Sequence, residues 1–238
     1  MSGTFDAYYE NPNYLLYKRV LFNYLLRKRM VARQLGECQR PALDIGSGVA
    51  PMLEGPDVLL SDMSLAGMRV MRAEGRRCCV LDIQRLGLRS ASVKTIVCSE
   101  VLEHVPDDQA AMVELARVLS PGGRLILTVP LHGYYWSVDD DEVGHFRRYS
   151  RRDMKAKISQ AGLRLRRVRR VGSVFERALT IGAVLIYRTL AGRDGQWRKR
   201  PGRIFIWANR ATAWALQGLA RLSPMAACSV GLFDCVKE

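Results

Sequence analysis

Several things are scarce in this chain of 238 residues, and each scarcity narrows what the chain can be. Its six cysteines (Cys38, Cys78, Cys79, Cys98, Cys228 and Cys235) include no CxxC pair and no Cys/His spacing suited to zinc. They read as reduced thiols of a cytoplasmic protein, with Cys78 and Cys79 expected in a buried strand as small hydrophobes. No long apolar run is present. The longest uncharged apolar stretch of the C-terminal part, Ala178 to Tyr187, is short of the ~20 residues that cross a bilayer. Met1 to Glu10 is polar and aromatic and has no secretory core. There is no internal repeat and no low-complexity tract. Acids are also few: 23 against 37 Lys and Arg, a net charge of +14. Such a balance favours anionic partners, whether nucleic acid, an acidic membrane surface or phosphorylated substrates. The excess is local. Arg164 to Arg203 holds twelve Lys or Arg and two acids, Glu176 and Asp194.

What is present is an alternation of strand and helix patterns. Apolar residues at helical spacing predict one amphipathic helix over 13–35. Strands are expected at 42–45, 57–62, 77–82, 93–99, 124–130, 163–171 and 229–238. Helices are expected at 65–73, from Pro106 through the following acids, and from 150 to 161 with Ser150 as N-cap and Asp153 three positions on. Pro121-Gly122-Gly123 predicts a turn. Strands that alternate with helices indicate a doubly wound α/β fold with a parallel sheet. The expected organisation is an N-terminal helical segment (1–37), a core (38–171), an apolar and basic helical insert (172–227) and a last core strand (228–238). A polar hinge, AGRDGQWRKRPGR (191–203), divides the insert.

The chemistry centres on LDIGSGVAP (43–51). A strand leads through Asp44 into the turn Gly46-Ser47-Gly48, where glycine lets backbone approach a ligand at a strand's carboxyl end. The third glycine of a dinucleotide turn is replaced by Pro51. An acid inside the strand end suits S-adenosylmethionine (SAM), which has no pyrophosphate to cradle but an amino acid end to hold. Asp62 ends the second strand, where a carboxylate can accept from both ribose hydroxyls. Asp82 ends the third, where it can accept from an adenine amino group, with Met63 and Ile83 flanking the ring. One such acid is ordinarily a turn former; three at successive strand ends beside one glycine turn point to a cofactor.

LDIGSG, SDMS, LDI, IVCSEVLEHVPD and LARVLSPGGRLILTVP, taken in order, resemble the motifs of class I SAM-dependent methyltransferases. The nearest group is the small-molecule type related to the quinone-biosynthesis C-methyltransferases, which GHFRRYS (144–150) also resembles. The resemblance covers roughly 38–171. It implies a seven-stranded sheet of order 3-2-1-4-5-7-6 with the seventh strand antiparallel. It places Gly46 and Gly48 under the methionine part, Asp62 at the ribose, and Asp82 with Ile83 at the adenine, and it sets Ser99 and Glu100 beside the methyl group. Two departures stand out: the third glycine is missing, and only thirteen residues separate Gly48 from Asp62, so the first helix must be short.

The acceptor is less defined. The fourth strand ends in CSE rather than the Asn-Pro-Pro-aromatic sequence of adenine N-methyltransferases, and no Pro-Cys pair offers a thiolate for cytosine carbon. The arginines of 164–170 lack interleaved stacking aromatics, although Trp197 lies near 198–200. The expected acceptor is therefore a hydrophobic small molecule: a lipid, isoprenoid or polyketide-like metabolite. RNA, or a SAM-binding scaffold without transferase activity, is the alternative. A base is needed only if the acceptor loses a proton. The candidates are His145, His132 and His104, the only histidines, with His145 preferred for its place after the loop 132–144. Asp139 to Glu142 are expected as a solvated acidic loop, and no metal is expected. On helices through 174–190 and 204–222, basic residues form slim stripes and apolar residues the rest. Such helices either pack into their own domain or a dimer partner, or lie in a membrane interface. The sequence thus leads us to expect a lid over the active-site mouth, an apolar pocket using Trp207 and Trp214, and a cytoplasmic location that includes peripheral contact with an anionic membrane.

Overall fold

The computed structural model describes residues 9, 12–190, 202–222, 224 and 227–238. Most of the hinge, with Trp197 and the basic triplet 198–200, lies outside the described residues. In chain order the elements are α1 (Pro12–Val20), α2 (Phe22–Leu35), β1 (Ala42–Ile45), β2 (Val58–Asp62), α3 (Leu65–Ala73), β3 (Cys78–Val80), β4 (Val93–Ser99), α4 (Asp108–Val118), β5 (Leu119–Pro130), α5 (Val138–Glu142), α6 (Arg151–Gln160), β6 (Leu163–Arg170), α7 (Val174–Leu190), α8 (Arg203–Leu222) and β7 (Val230–Lys237). The strands form one seven-stranded sheet of order β3-β2-β1-β4-β5-β7-β6. Only β7 runs antiparallel to its neighbours. This is the order expected of the class I methyltransferase fold.

Strand residues alternate between two cores, as the two-residue period of a strand requires. Ile96, Leu125, Leu127 and Phe233 face one side with Leu102, Met112, Leu115, Met154 and Ile158. Val97, Ile126 and Leu232 face the other, against Phe22, Leu26, Leu35, Met68, Met71, Ala213 and Leu216. The second core is therefore closed by α2, α3 and α8. All parallel strands end on one edge of the sheet, and the loops there build the site.

Four expectations need correction. The helix expected over 13–35 is two helices broken at Leu21, whose backbone is extended at ψ 139°. The amide of Phe22 donates to Asn209 Oδ1 at 2.9 Å, so a side chain of α8 satisfies a donor at the new helix start. Cys78 and Cys79 are only half-buried, because β3 is an edge strand with one neighbour. Pro106 precedes α4 rather than opening it; Asp107 is the N-cap and accepts from the Ala110 amide at 2.9 Å. Pro121-Gly122-Gly123 is not a turn before β5 but an irregularity inside it. Leu119 pairs with Val93 and Arg124 with Thr95, so extra residues bulge between them, with Gly122 at φ +73°. The capping box at the start of α6 forms as expected, with the Asp153 amide donating to Ser150 Oγ at 3.1 Å.

Candidate active site

The glycine turn follows β1 directly. Gly46 has φ +67° and Gly48 φ +48°, conformations that side chains oppose. A Cβ on Gly46 would lie 2.2 Å from Val101 Cγ2, and one on Gly48 would lie 2.6 Å from the Tyr9 hydroxyl. Both glycines thus admit close backbone approach. Neither Val101 nor Tyr9 was legible as a neighbour from sequence. Ser47 is buried and braces the turn: its amide donates to the Ser61 oxygen at 3.0 Å.

The strand-end acids divide their work. Asp44 is buried, and its Oδ2 accepts from the amides of Met52 (2.7 Å) and Leu53 (2.9 Å). It therefore pins the segment after the turn, while Oδ1 has no protein hydrogen-bond partner. Burial raises its pKa to about 7, against the opposing pull of the Leu53 and Met52 amides. Asp62 accepts from the Gly48 amide and from the Ser64 amide, each at 2.9 Å, tying the glycine turn to the start of α3. Asp82 lies just beyond the short β3 and accepts from the Gln84 amide at 2.9 Å. Met63 is exposed, whereas Ile83 is buried in the core cluster with Leu86 and Leu102, so its side chain does not stand free to flank a ring. Lys18, on α1, is the unexpected cation here. Burial and Arg27 lower its pKa to about 8, while Glu100 and Asp62 pull the other way.

At the end of β4 a chain of hydroxyls orients Glu100. Its Oε1 accepts from Thr128 Oγ1 at 3.0 Å, and Thr128 in turn lies 2.8 Å from Ser99 Oγ. Glu100 sits at φ +55°, a strained conformation for a non-glycine residue of the kind that gathers at functional sites. Three residues on, Glu103 is fully buried, and neither carboxylate oxygen has a hydrogen-bond partner. Burial, then the charge of Glu100, pushes its pKa well above the usual carboxylate range.

Of the three histidines, the structure brings two together. The rings of His104 and His145 meet edge to face at 4.6 Å. Burial, then His145, lowers the His104 pKa to about 4, so it is neutral at physiological pH. His145 Nδ1 lies 2.7 Å from Asp140 Oδ1, and its Nε2 lies 3.9 Å from Glu103 Oε1. His132 stacks instead on Tyr134, with centroids 4.9 Å apart, at φ +61° on the turn that follows β5. Ligand atoms of Glu103, His104 and His145 fall within 4.8 Å of one another, a donor set of one carboxylate and two imidazoles able to receive a divalent cation.

The acidic run 139–142 is not a solvated loop, as expected, but the short helix α5. Asp140 is fully buried and accepts from Arg148 Nε (2.8 Å), Arg177 (2.8 Å), the Ser137 amide (2.9 Å) and His145. Burial alone would raise its pKa; the His145 and Arg148 hydrogen bonds reverse this and hold it far below the usual range. An ionised Asp140 can only accept, so Nδ1 of His145 carries the hydrogen of this bond, and in the neutral imidazole Nε2 is then the lone-pair nitrogen. A second acid, Asp108, fastens the same loop: it accepts from the Tyr149 hydroxyl (2.9 Å) and pairs with Arg147 (3.0 Å) and Lys157 (2.7 Å).

Comparison with known proteins agrees with this geometry. Residues 43–127 match a methyltransferase domain family. A ubiquinone biosynthesis O-methyltransferase from Alkalilimnicola ehrlichii is 32% identical over 120 residues, covering 43% of this chain and 47% of that protein. Its counterpart in Xanthomonas oryzae pv. oryzae is 30% identical over 115 residues, 43% of this chain and 48% of that one. The chain therefore spans about half the length of the curated relatives it matches. Among solved structures, a SAM-dependent methyltransferase from Thermotoga maritima superposes with a TM-score of 0.64 at 13% identity, over 100% of this chain and 99% of that one. A Haemonchus contortus phosphoethanolamine N-methyltransferase, solved with S-adenosylhomocysteine, gives 0.57 at 14% identity over 89% and 52%. These structural likenesses establish the fold. The acids and glycines of the turn lie inside the matched segment, whereas Asp140, His145 and Arg148 lie beyond it.

Proposed function

We propose that the protein transfers the methyl group of SAM to an oxygen of a small apolar acceptor: a lipid, an isoprenoid or a polyketide-like metabolite. The observation that carries this reading is the convergence, at one end of the sheet, of the positive-φ glycine turn and the Asp140–His145 pair. When bound, SAM would supply an electrophilic methyl on a sulfonium, open to attack by an acceptor with S-adenosylhomocysteine as the leaving group. The residues present fit that cofactor. The turn runs at positive φ through Gly46 and Gly48, and Asp44 keeps a buried oxygen without a protein partner. Asp62 would hold the ribose, Asp82 with Met63 the adenine, and Ser99 and Glu100 would border the methyl.

On the acceptor side, His145 Nε2 takes the proton of the attacking hydroxyl, and Asp140 keeps the imidazole in the required tautomer and stabilises the cation that forms. In balance, the acceptor hydroxyl would give its proton to His145 and gain the methyl, and the cofactor would depart as S-adenosylhomocysteine. The names of the curated relatives support oxygen as the acceptor atom and a quinone-like, apolar skeleton. Peripheral contact with an anionic membrane belongs to the same reading. Among the described residues no helix is long and apolar enough to cross a membrane.

The test is a transfer assay with methyl-labelled SAM against prenylated phenols, a cellular lipid extract and total RNA. Label in the organic phase, as a methyl ether, is the expected result. Label in RNA alone, or binding of SAM without transfer to any pool, would overturn the proposal.

A further inference from the structure

The helix α8 carries two faces with opposite fates. Asn209, Ala213 and Leu216 are buried against the α2 side of the core. Asn209 meets Phe22 and Gln217 meets Met30, both at a separation of 187 residues, so α8 and α2 lie side by side and run in the same direction. Phe205 packs edge-on against Tyr17 of α1, with centroids 5.2 Å apart. Since Arg19, two residues on, donates to the Val49 oxygen at 2.6 Å, the start of α8 is near the glycine turn.

The other face of α8 is exposed and apolar. Ile204 is 84% exposed, Trp207 72% and Trp214 73%, and Ala208, Ala211, Ala215 and Gly218 lie exposed between them. At about 100° per residue these positions fall on one continuous arc, roughly a third of the circumference. Arg203 and Arg210 are exposed and line one edge of that arc. The helix contains no acid. A soluble protein gains nothing by holding two tryptophans and an isoleucine in water; contiguous patches of this kind mark contact sites.

We infer that this face of α8 docks on an anionic lipid bilayer, lying in the interface with Ile204, Trp207 and Trp214 among the acyl chains and Arg203 and Arg210 at the lipid phosphates. Three features select lipid as the occupant. Tryptophan has an apolar body and a polar N–H, which suits the headgroup boundary. The arginine row and the net charge of +14 complement an anionic surface. A second copy would instead present the same cationic edge and repel it. Nor does the apolar arc offer a nucleic acid the phosphate contacts that its binding requires. α7 adds Val174, Phe175 and Leu179, all exposed at its start, and the one acid there, Glu176, is turned inward onto Ser229 at 2.6 Å. Arg177 beside it is buried on Asp139 and Asp140, so the insert is joined to the loop that bears His145.

The experiment is co-flotation of the full chain with vesicles of phosphatidylcholine, alone or with roughly one-third phosphatidylglycerol, at about 50 mM and about 500 mM salt. Binding to the anionic vesicles at low salt, weakened by salt and absent from phosphatidylcholine, is expected. The double variant Trp207→Ala, Trp214→Ala should lower the partition coefficient at least about tenfold. Arg203→Gln and Arg210→Gln should each lower it roughly fivefold and flatten the salt dependence. Because these side chains are exposed, far-UV circular dichroism and S-adenosylhomocysteine binding should stay unchanged in every variant, and Trp207→Phe with Trp214→Phe should retain most of the binding. Failure to float with anionic vesicles at low salt would overturn the inference. So would flotation indifferent to both variant pairs, or a dimer in sedimentation that the tryptophan pair dissociates while vesicles are ignored. None of these readouts depends on methyl transfer.

Discussion

The two halves of the site are built in different ways. On the cofactor side, Asp44 and Asp62 accept from backbone amides of the turns that follow β1 and β2, at Met52, Leu53, Gly48 and Ser64. On the acceptor side, Asp140 is a hub whose partners come from a loop, a strand connection and the start of α7: His145, Arg148 and Arg177. The first half is held by turns at neighbouring strand ends; the second joins segments that lie up to 37 residues apart in the chain. The two halves should therefore break differently.

The largest effect is expected at the hub. Asp140→Asn leaves Arg148 buried without its counter-charge and Arg177 with Asp139 alone, and breaking a buried pair commonly costs about 3–5 kcal/mol. Urea unfolding should show the loss. If stability is unchanged, the hub is not holding the acceptor side. Next is His145→Ala, which keeps the hub's arginines paired. Turnover should fall ~10²–10⁴-fold with cofactor affinity nearly intact; turnover unchanged from about pH 6 to 9 would return His145 to a loop role.

On the cofactor side, Gly46→Ala must place a methyl into Val101 at a positive φ. Strain of this kind costs about 1–3 kcal/mol, and calorimetry should show S-adenosylhomocysteine binding lost while the acceptor-side hydrogen bonds persist. Asp62→Ala removes a charged acceptor and should weaken cofactor binding about tenfold or more. Unchanged affinity in the folded variant would remove Asp62 from the cofactor site.

The smallest effect is a titration in which the halves oppose each other. Asp44 has its pKa raised to about 7, so between about pH 4 and 7 the folded state holds the extra proton, and its contribution falls as pH rises. His104 has its pKa lowered to about 4, so between about pH 4 and 6.5 the unfolded state holds the extra proton, and its contribution grows as pH rises. Each slope is at most about 1.4 kcal/mol per pH unit, and in the wild type they largely cancel. Asp44→Asn should reveal the rise and His104→Gln the fall in melting experiments across that window. Parallel pH profiles for the two variants would show that one assignment is wrong.

The glycine turn and the acids at the strand ends were readable because each depends on spacing along the chain; the strand order came from the resemblance of the ordered motifs. The same spacing misled at Leu21, where helical periodicity runs unbroken but Asn209, far away in sequence, offers an alternative partner to the Phe22 amide. Glu103 was within reach: it stands three residues after Glu100 and beside His104, in a segment whose resemblance was already noted, and only its burial separates it from a surface acid. Thr128, Arg148 and Tyr9 carried no such signal. Composition predicted the tryptophans of α8 inside a pocket; the structure turns them outward, because three neighbouring positions, Asn209, Ala213 and Leu216, are the ones that fit the surface beside α2.

By itself, then, the sequence determined the order of elements, the cofactor turn and the basic, apolar character of the insert, since turn conformation, strand alternation and charge are properties of neighbouring residues. Only the tertiary structure decided which histidine lies against Asp140, which acid of the run 139–142 is buried, and which face of α8 meets water. Those outcomes rest on burial and on long-range hydrogen bonds. Both depend on which segments meet when the sheet closes, and a one-dimensional pattern does not contain that information.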